Sequence, residues 1–168
     1  NKNYRALILR KTNDELRELI DKSQDLYPRA FPGAIWRVQA GTWEFPSGAK
    51  IWMTYLDRDD DVYRYHGQAF TCVYFDELTM YRTPTAFNFL RSRVRTTDPE
   101  LTCYIRATTN PTGPGVGWVK KAFVDPAPPN TTFAAVDTET WEPLVFPKGH
   151  KNEGKAIFTC RFIPSKLA

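Results

Sequence analysis

The run Thr71-Cys72-Val73-Tyr74-Phe75 is short and almost wholly apolar, and it stops at two adjacent carboxylates, Asp76 and Glu77. A run of that length reads as a buried strand. A strand ending in Asp-Glu delivers both acids to the carboxyl edge of a sheet, where open α/β sheets bind ligands. In ATP hydrolysis such a pair divides labour. The Asp holds Mg²⁺, usually through water, and the Glu orients or deprotonates the attacking water. The competing reading is that the two acids only begin the following loop and helix, where acidic residues complement the macrodipole.

A second polar set, Ala107-Thr108-Thr109-Asn110-Pro111, closes the next apolar run and is expected at the same edge, with Asn110 able to sense a γ-phosphate. Thr-Thr-Asn-Pro is also ordinary turn chemistry. Two consecutive strands that each deliver polar groups to one edge nevertheless form a coherent constellation. Gly113-Pro114-Gly115-Val116-Gly117 lacks the Gly-Lys-Ser/Thr ending of a phosphate cradle and reads as a hinge. Arg91, Arg93 and Arg95 cluster at a helix end, as a phosphate grip or as a solvated face. His66 and His150 have no ligand-spaced partners for zinc, and Trp36, Trp43, Trp52 and Tyr55 read as hairpin core.

The elements that must position these groups are legible in outline. Tyr4 to Leu9 reads as a strand, and Thr12 with Glu15 three residues on forms a capping box ahead of Leu16, Leu19 and Ile20; Pro28 and Pro32 are expected to end that helix. The stretches 36–38, 42–45 and 50–55 alternate or run apolar around a Pro46-Ser47-Gly48 turn, which predicts an antiparallel hairpin. A solvent loop is expected over 57–61, then the strand at 71–75 covered on both faces, a helix from Pro84 to about Arg93, and a buried strand over 101–107. Eight of the 13 prolines lie at or beyond Pro111, which marks 125–168 as a connector and lid beyond a core spanning 1–124. A last strand is expected over 156–163. The fold class is α/β, a mostly parallel sheet with flanking helices.

A chain of 168 residues with 42% apolar and 25% charged content suits a globular domain, and its net charge of +4 tilts only mildly towards an anionic partner. Three cysteines, Cys72, Cys103 and Cys160, are odd in number, far apart and each set in a strand-like apolar run, which fits buried reduced thiols in a reducing compartment better than a disulfide framework. No secretory segment or bilayer-length apolar stretch occurs in the sequence. The abrupt entry into a strand at Tyr4 and the late strand before Ala168 suggest a fragment.

The ordered set Tyr63-Arg64-Tyr65-His66-Gly67-Gln68, Val73 to Thr79, Ser92-Arg93-Val94-Arg95 and Ala107 to Gly115, followed by Gly117-Trp118-Val119-Lys120-Lys121, resembles the ATPase domain of the large terminase subunit of tailed bacteriophages. Leu9 to Thr12, Phe45 to Ala49 and Phe162 to Leu167 fit the same pattern. The resemblance implies a P-loop NTPase-like fold of the additional-strand, conserved-Glu type, incomplete here, that hydrolyses ATP and drives double-stranded viral DNA into a capsid. It implies Asp76 as the Mg²⁺ carboxylate, Glu77 as the catalytic base, and Thr108-Thr109-Asn110 as the coupling motif. Family members often carry an arginine that acts in trans at the position of His66, so His66 and the nearby Arg64 become the candidates. Arg29, Arg37 and Lys50 are candidate DNA contacts.

Further implications are a homo-oligomeric ring, portal and small terminase subunits as partners, no membrane, and work in the host cytoplasm while docked on a procapsid. The family's phosphate-binding loop and adenine region precede, and its nuclease domain follows, the matched stretch. This chain alone is therefore expected neither to bind Mg²⁺ and ATP tightly nor to turn ATP over. The competing assignments are a helicase-like DNA-dependent ATPase and a non-catalytic DNA-binding or assembly module.

Overall fold

A computed structural model describes residues 1–165. Strand β1 (Arg5–Arg10) is the middle of a six-stranded sheet, because its alternating side chains are apolar on both sides. Leu7 and Leu9 enter one core with Val73, Phe75, Phe87 and Leu90, whereas Ile8 enters another with Leu16, Trp43 and Met53. It pairs in parallel with β4 (Lys50–Tyr55) on one side and β5 (Cys72–Phe75) on the other, and β5 pairs in parallel with β6 (Tyr104–Ala107). The predicted hairpin is present: β3 (Thr42–Glu44) runs antiparallel to β4, and β2 (Ile35–Arg37) antiparallel to β3. The order is β2-β3-β4-β1-β5-β6, an α/β architecture with a mostly parallel sheet.

Helix α1 (Asn13–Ala30) lies on the Ile8 face. Its start is fixed as expected, with the Thr12 hydroxyl accepting from the Glu15 amide and the Glu15 carboxylate accepting from the Thr12 amide. It runs on through Pro28 to Ala30 rather than stopping at that proline. Pro28 sits in the last turn, where the single amide it lacks leaves only a solvent-exposed carbonyl unpaired. Trp43 is buried against this helix, and its indole N–H donates to Ser23 Oγ at 2.9 Å. Tyr55 departs from the expected hairpin core and is 38% exposed.

The opposite face is covered by α2 (Thr85–Arg91) and by a 3₁₀ stretch, Asp59–Tyr65, that occupies most of the expected solvent loop. Helix α1 packs chiefly on β1 and β4, away from the Cys72 and Tyr74 side of β5. Phenols and a thiol gather there instead, with Tyr4 Oη 2.9 Å from Cys72 Sγ and Tyr74 Oη 2.7 Å from Tyr104 Oη. Strand β6 ends the sheet and is half exposed, not buried as its composition suggests. Beyond it, α3 (Val116–Val119) continues into a π-helical turn, Lys120–Val124, and the tail forms a ribbon of β7 (Thr132–Ala134) and β8 (Thr159–Arg161). The ribbon segment is tied to the core by Val136 and by Asn88 donating to Thr138 Oγ1 at 2.6 Å. Lys166 and Leu167, part of the closing motif, lie outside the described residues.

The glycine segment is a packed clasp, not a hinge. Gly113 takes φ +105°, and a Cβ on Gly115 would lie 2.0 Å from Tyr81 O. That closeness lets Gly115 N donate to Thr79 O at 2.8 Å and Trp118 Nε1 to Tyr81 O at 2.8 Å. The chain leaving β5 is thereby held from behind. Gly115→Ala is expected to destabilise the fold by about 2 kcal/mol, in the range of core overpacking, read as a lower urea midpoint with an unchanged m-value.

Candidate functional site

The strand order fixes where a site can form. From β1 the chain crosses by α1 towards β4, whereas from β5 it crosses by α2 on the other face towards β6. The two crossovers diverge at the carboxyl ends of β1 and β5, the crevice at which open α/β sheets bind ligands. Asp76 is placed there by its amide, which donates to Leu9 O at 2.9 Å. Thr108 is placed by its own amide on Phe75 O at 3.0 Å.

Asp76 has both carboxylate oxygens engaged. Oδ2 lies 2.5 Å from Arg10 Nη2, in a pair whose side chains are 20% and 27% exposed, and Oδ1 accepts from the Thr108 hydroxyl. Thr108 Oγ1 in turn accepts from the Glu77 amide at 3.3 Å, and Asn110 Nδ2 donates to Glu77 Oε1 at 3.3 Å. Behind them, Thr109 Oγ1 accepts from the Thr79 amide at 3.2 Å, and the Thr79 hydroxyl donates to Asn110 O at 3.1 Å. All five residues singled out at the ends of β5 and β6 meet in one network. Beside it lies an open cleft of about 290 Å³, lined by Lys11, Asp57, Asp59, Met80, Arg82 and Pro114.

Two of its participants, Arg10 and Thr79, carry no signal in the sequence that assigns them to this site. Arg10 ends a strand whose adjacency to β5 only the fold reveals, and Thr79 looks like loop. Lys11, next to Arg10, ties the ends of β1 and β4 together by donating to Leu56 O at 3.0 Å and to Asp57 O. Under the site, burial and then the charge of Glu15 push the Tyr81 phenol above its usual range, so it stays neutral.

The donor set suits a hard divalent cation in kind, because Asp76, Glu77 and Thr108 all offer oxygen. Among the described residues no group of three or more His, Cys, Asp or Glu could hold a metal unaided, so phosphate and water oxygens would have to complete the shell.

The remaining candidates lie elsewhere. Arg64 is exposed and donates to Thr54 Oγ1 at 3.1 Å and to Tyr55 O, while His66 stacks on Tyr63 and meets Phe89 edge-on. Arg37 and Lys50 share one carboxylate, Glu44, at 2.9 and 2.8 Å, and Arg29 is exposed at the end of α1. Arg91 and Arg93 rest on the rings of Phe158 and Phe89, and burial lowers the Arg91 pKa. His150 stacks on Phe146. The three cysteines are free, and only Cys72 is buried. No helix among the described residues is long and apolar enough to cross a membrane. Neither a family model nor a curated protein matches the chain.

Glu77 has φ +57° and ψ +54°, the left-handed region that a residue with a Cβ occupies at a cost of about 1–2 kcal/mol. The turn after β5 demands that conformation, since Leu78 N donates to Thr108 O at 2.9 Å. Strain of this kind is typical of functional positions. Glu77→Gly is expected to be about 1 kcal/mol more stable than Glu77→Ala, because both lose the carboxylate but only glycine relaxes the backbone. Equal midpoints for the two variants in thermal denaturation would contradict the strain.

Proposed function

We propose that this chain is the carboxylate half of an ATP-hydrolysing motor of the DNA-packaging terminase type, a P-loop NTPase-like core whose phosphate-binding loop is supplied outside these residues. The observation that carries the reading is the joining of Asp76 and Glu77 to Thr108 and Asn110 at the carboxyl edge, on adjacent parallel strands at the point where the crossovers diverge. The motif resemblance, which runs over most of the chain, supplies the DNA-packaging part of the proposal.

In this reading Asp76 would hold the divalent cation, with Thr108 fixing its rotamer. Bound Mg²⁺ supplies charge neutralisation at the phosphates. Glu77 accepts a proton from the attacking water, and its Oε1 is aimed by Asn110. Asn110 sits where loss of a phosphate contact would be felt by Glu77 and by the Thr79 turn together, which suits a residue that couples hydrolysis to movement. Nucleotide binding by the chain alone is expected to be weak, since backbone amides and a lysine of a phosphate loop normally supply most of the γ-phosphate stabilisation. Arg64 or His66 acting in trans on a neighbour in a ring, and Arg29, Arg37 and Lys50 on DNA, belong to the same proposal.

In the complete protein, Asp76→Asn is expected to weaken Mg²⁺-ATP binding, and Glu77→Gln to preserve binding while lowering turnover by about 10²–10⁴-fold, the usual worth of a general base. Calorimetric titration and a phosphate-release assay read the two effects separately. Normal turnover with Glu77→Gln would reject the catalytic-base assignment.

A further inference from the structure

Arg10 is bound to Asp76 in an incomplete way. Its Nη2 lies 2.5 Å from Oδ2, and the buried Nε has no hydrogen-bond partner among the described residues. Arg–carboxylate pairs are frequently two-pronged, with parallel N–H···O bonds that lock both groups. With Nε stranded, the side-on fork is not formed and the guanidinium keeps hydrogen-bonding capacity in reserve. Arg10 nevertheless blocks the carboxylate, because Oδ1 is already taken by Thr108 and Oδ2 is the oxygen Arg10 holds.

We propose that Arg10 is a built-in competitor of a divalent cation for Asp76, closing the carboxylate until a metal-bearing polyphosphate displaces the guanidinium. This rests on the reading of Asp76 as a metal-binding carboxylate. Leaving costs Arg10 its ion pair to Oδ2, while Nε, already without a partner, loses nothing. A phosphate at the same edge offers a two-pronged geometry that would also engage the stranded Nε, a task to which arginine is better matched than lysine. Arg10 is thus a positioning residue with two alternative partners.

The test is a Mn²⁺ titration of this chain, following paramagnetic broadening of the Glu77 and Leu78 amide signals. Arg10→Gln is expected to lower the midpoint Mn²⁺ concentration about tenfold, equivalent to about 1.4 kcal/mol. Arg10→Lys, a point charge without the fork, should shift it less in the same direction, and Asp76→Asn should abolish the local broadening in either background. An unchanged or higher midpoint in Arg10→Gln, with Asp76→Asn still abolishing the effect, overturns the competition while leaving Asp76 as the metal carboxylate. Broadening that survives Asp76→Asn, or none in any variant, removes the metal assignment and the proposal with it. If Arg10→Gln loses its dispersed spectrum, Arg10→Lys decides, and a midpoint at or above that of the unsubstituted chain overturns the proposal.

Discussion

Hydrogen bonding of β1 along both of its edges is the constraint from which the other elements take their places. A strand paired in parallel on both sides and apolar on both faces has to be covered twice, and α1 and α2 with the 3₁₀ stretch supply the two covers. The covers lie on opposite faces, so the crossovers leave β1 and β5 in opposite directions. The polar edge follows from that divergence. Asp76 faces Arg10 because Phe75 is registered against Leu9, and Thr108 reaches Asp76 because Ala107 is registered against Phe75.

The edge is held from two sides. In front, hydroxyl and amide side chains of Thr108, Thr109 and Asn110 satisfy backbone and carboxylate groups of the turn after β5. Behind, the Gly113–Gly115 segment and Trp118 satisfy the carbonyls of Thr79 and Tyr81. A strained residue such as Glu77 persists only where its surroundings over-determine it, and this double support does so. The same packing gives Gly113 and Gly115 a use: without Cβ atoms they let backbone approach backbone.

Local chemistry carried the readable part of the fold. The capping box at Thr12, the turn at Pro46 to Gly48 and the Asp-Glu ending of β5 each depend on residues a few positions apart, and each lies where its pattern places it. What stayed hidden depends on which strands become neighbours. The run that forms β6 is apolar enough for a central strand, yet its outer side has no neighbour among the described residues. Arg10 acquires its place at the site only when β5 is set beside β1. The sharing of Glu44 by Arg37 and Lys50 likewise arises only when β2, β3 and β4 align.

Arg10 also sits on a stretch of backbone that is hydrogen-bonded on both sides of it. Its carbonyl accepts from Leu56 N at 3.1 Å, and three residues later α1 begins behind a closed cap. In the proposed competition for Asp76, the change of partner would fall to the Arg10 side chain, through rotation about its own bonds. Rotamer changes of exposed side chains take picoseconds to nanoseconds, whereas hinge and domain motions take about microseconds to milliseconds. Under the proposed competition, the edge would answer an arriving ligand well before any larger part of the molecule had moved.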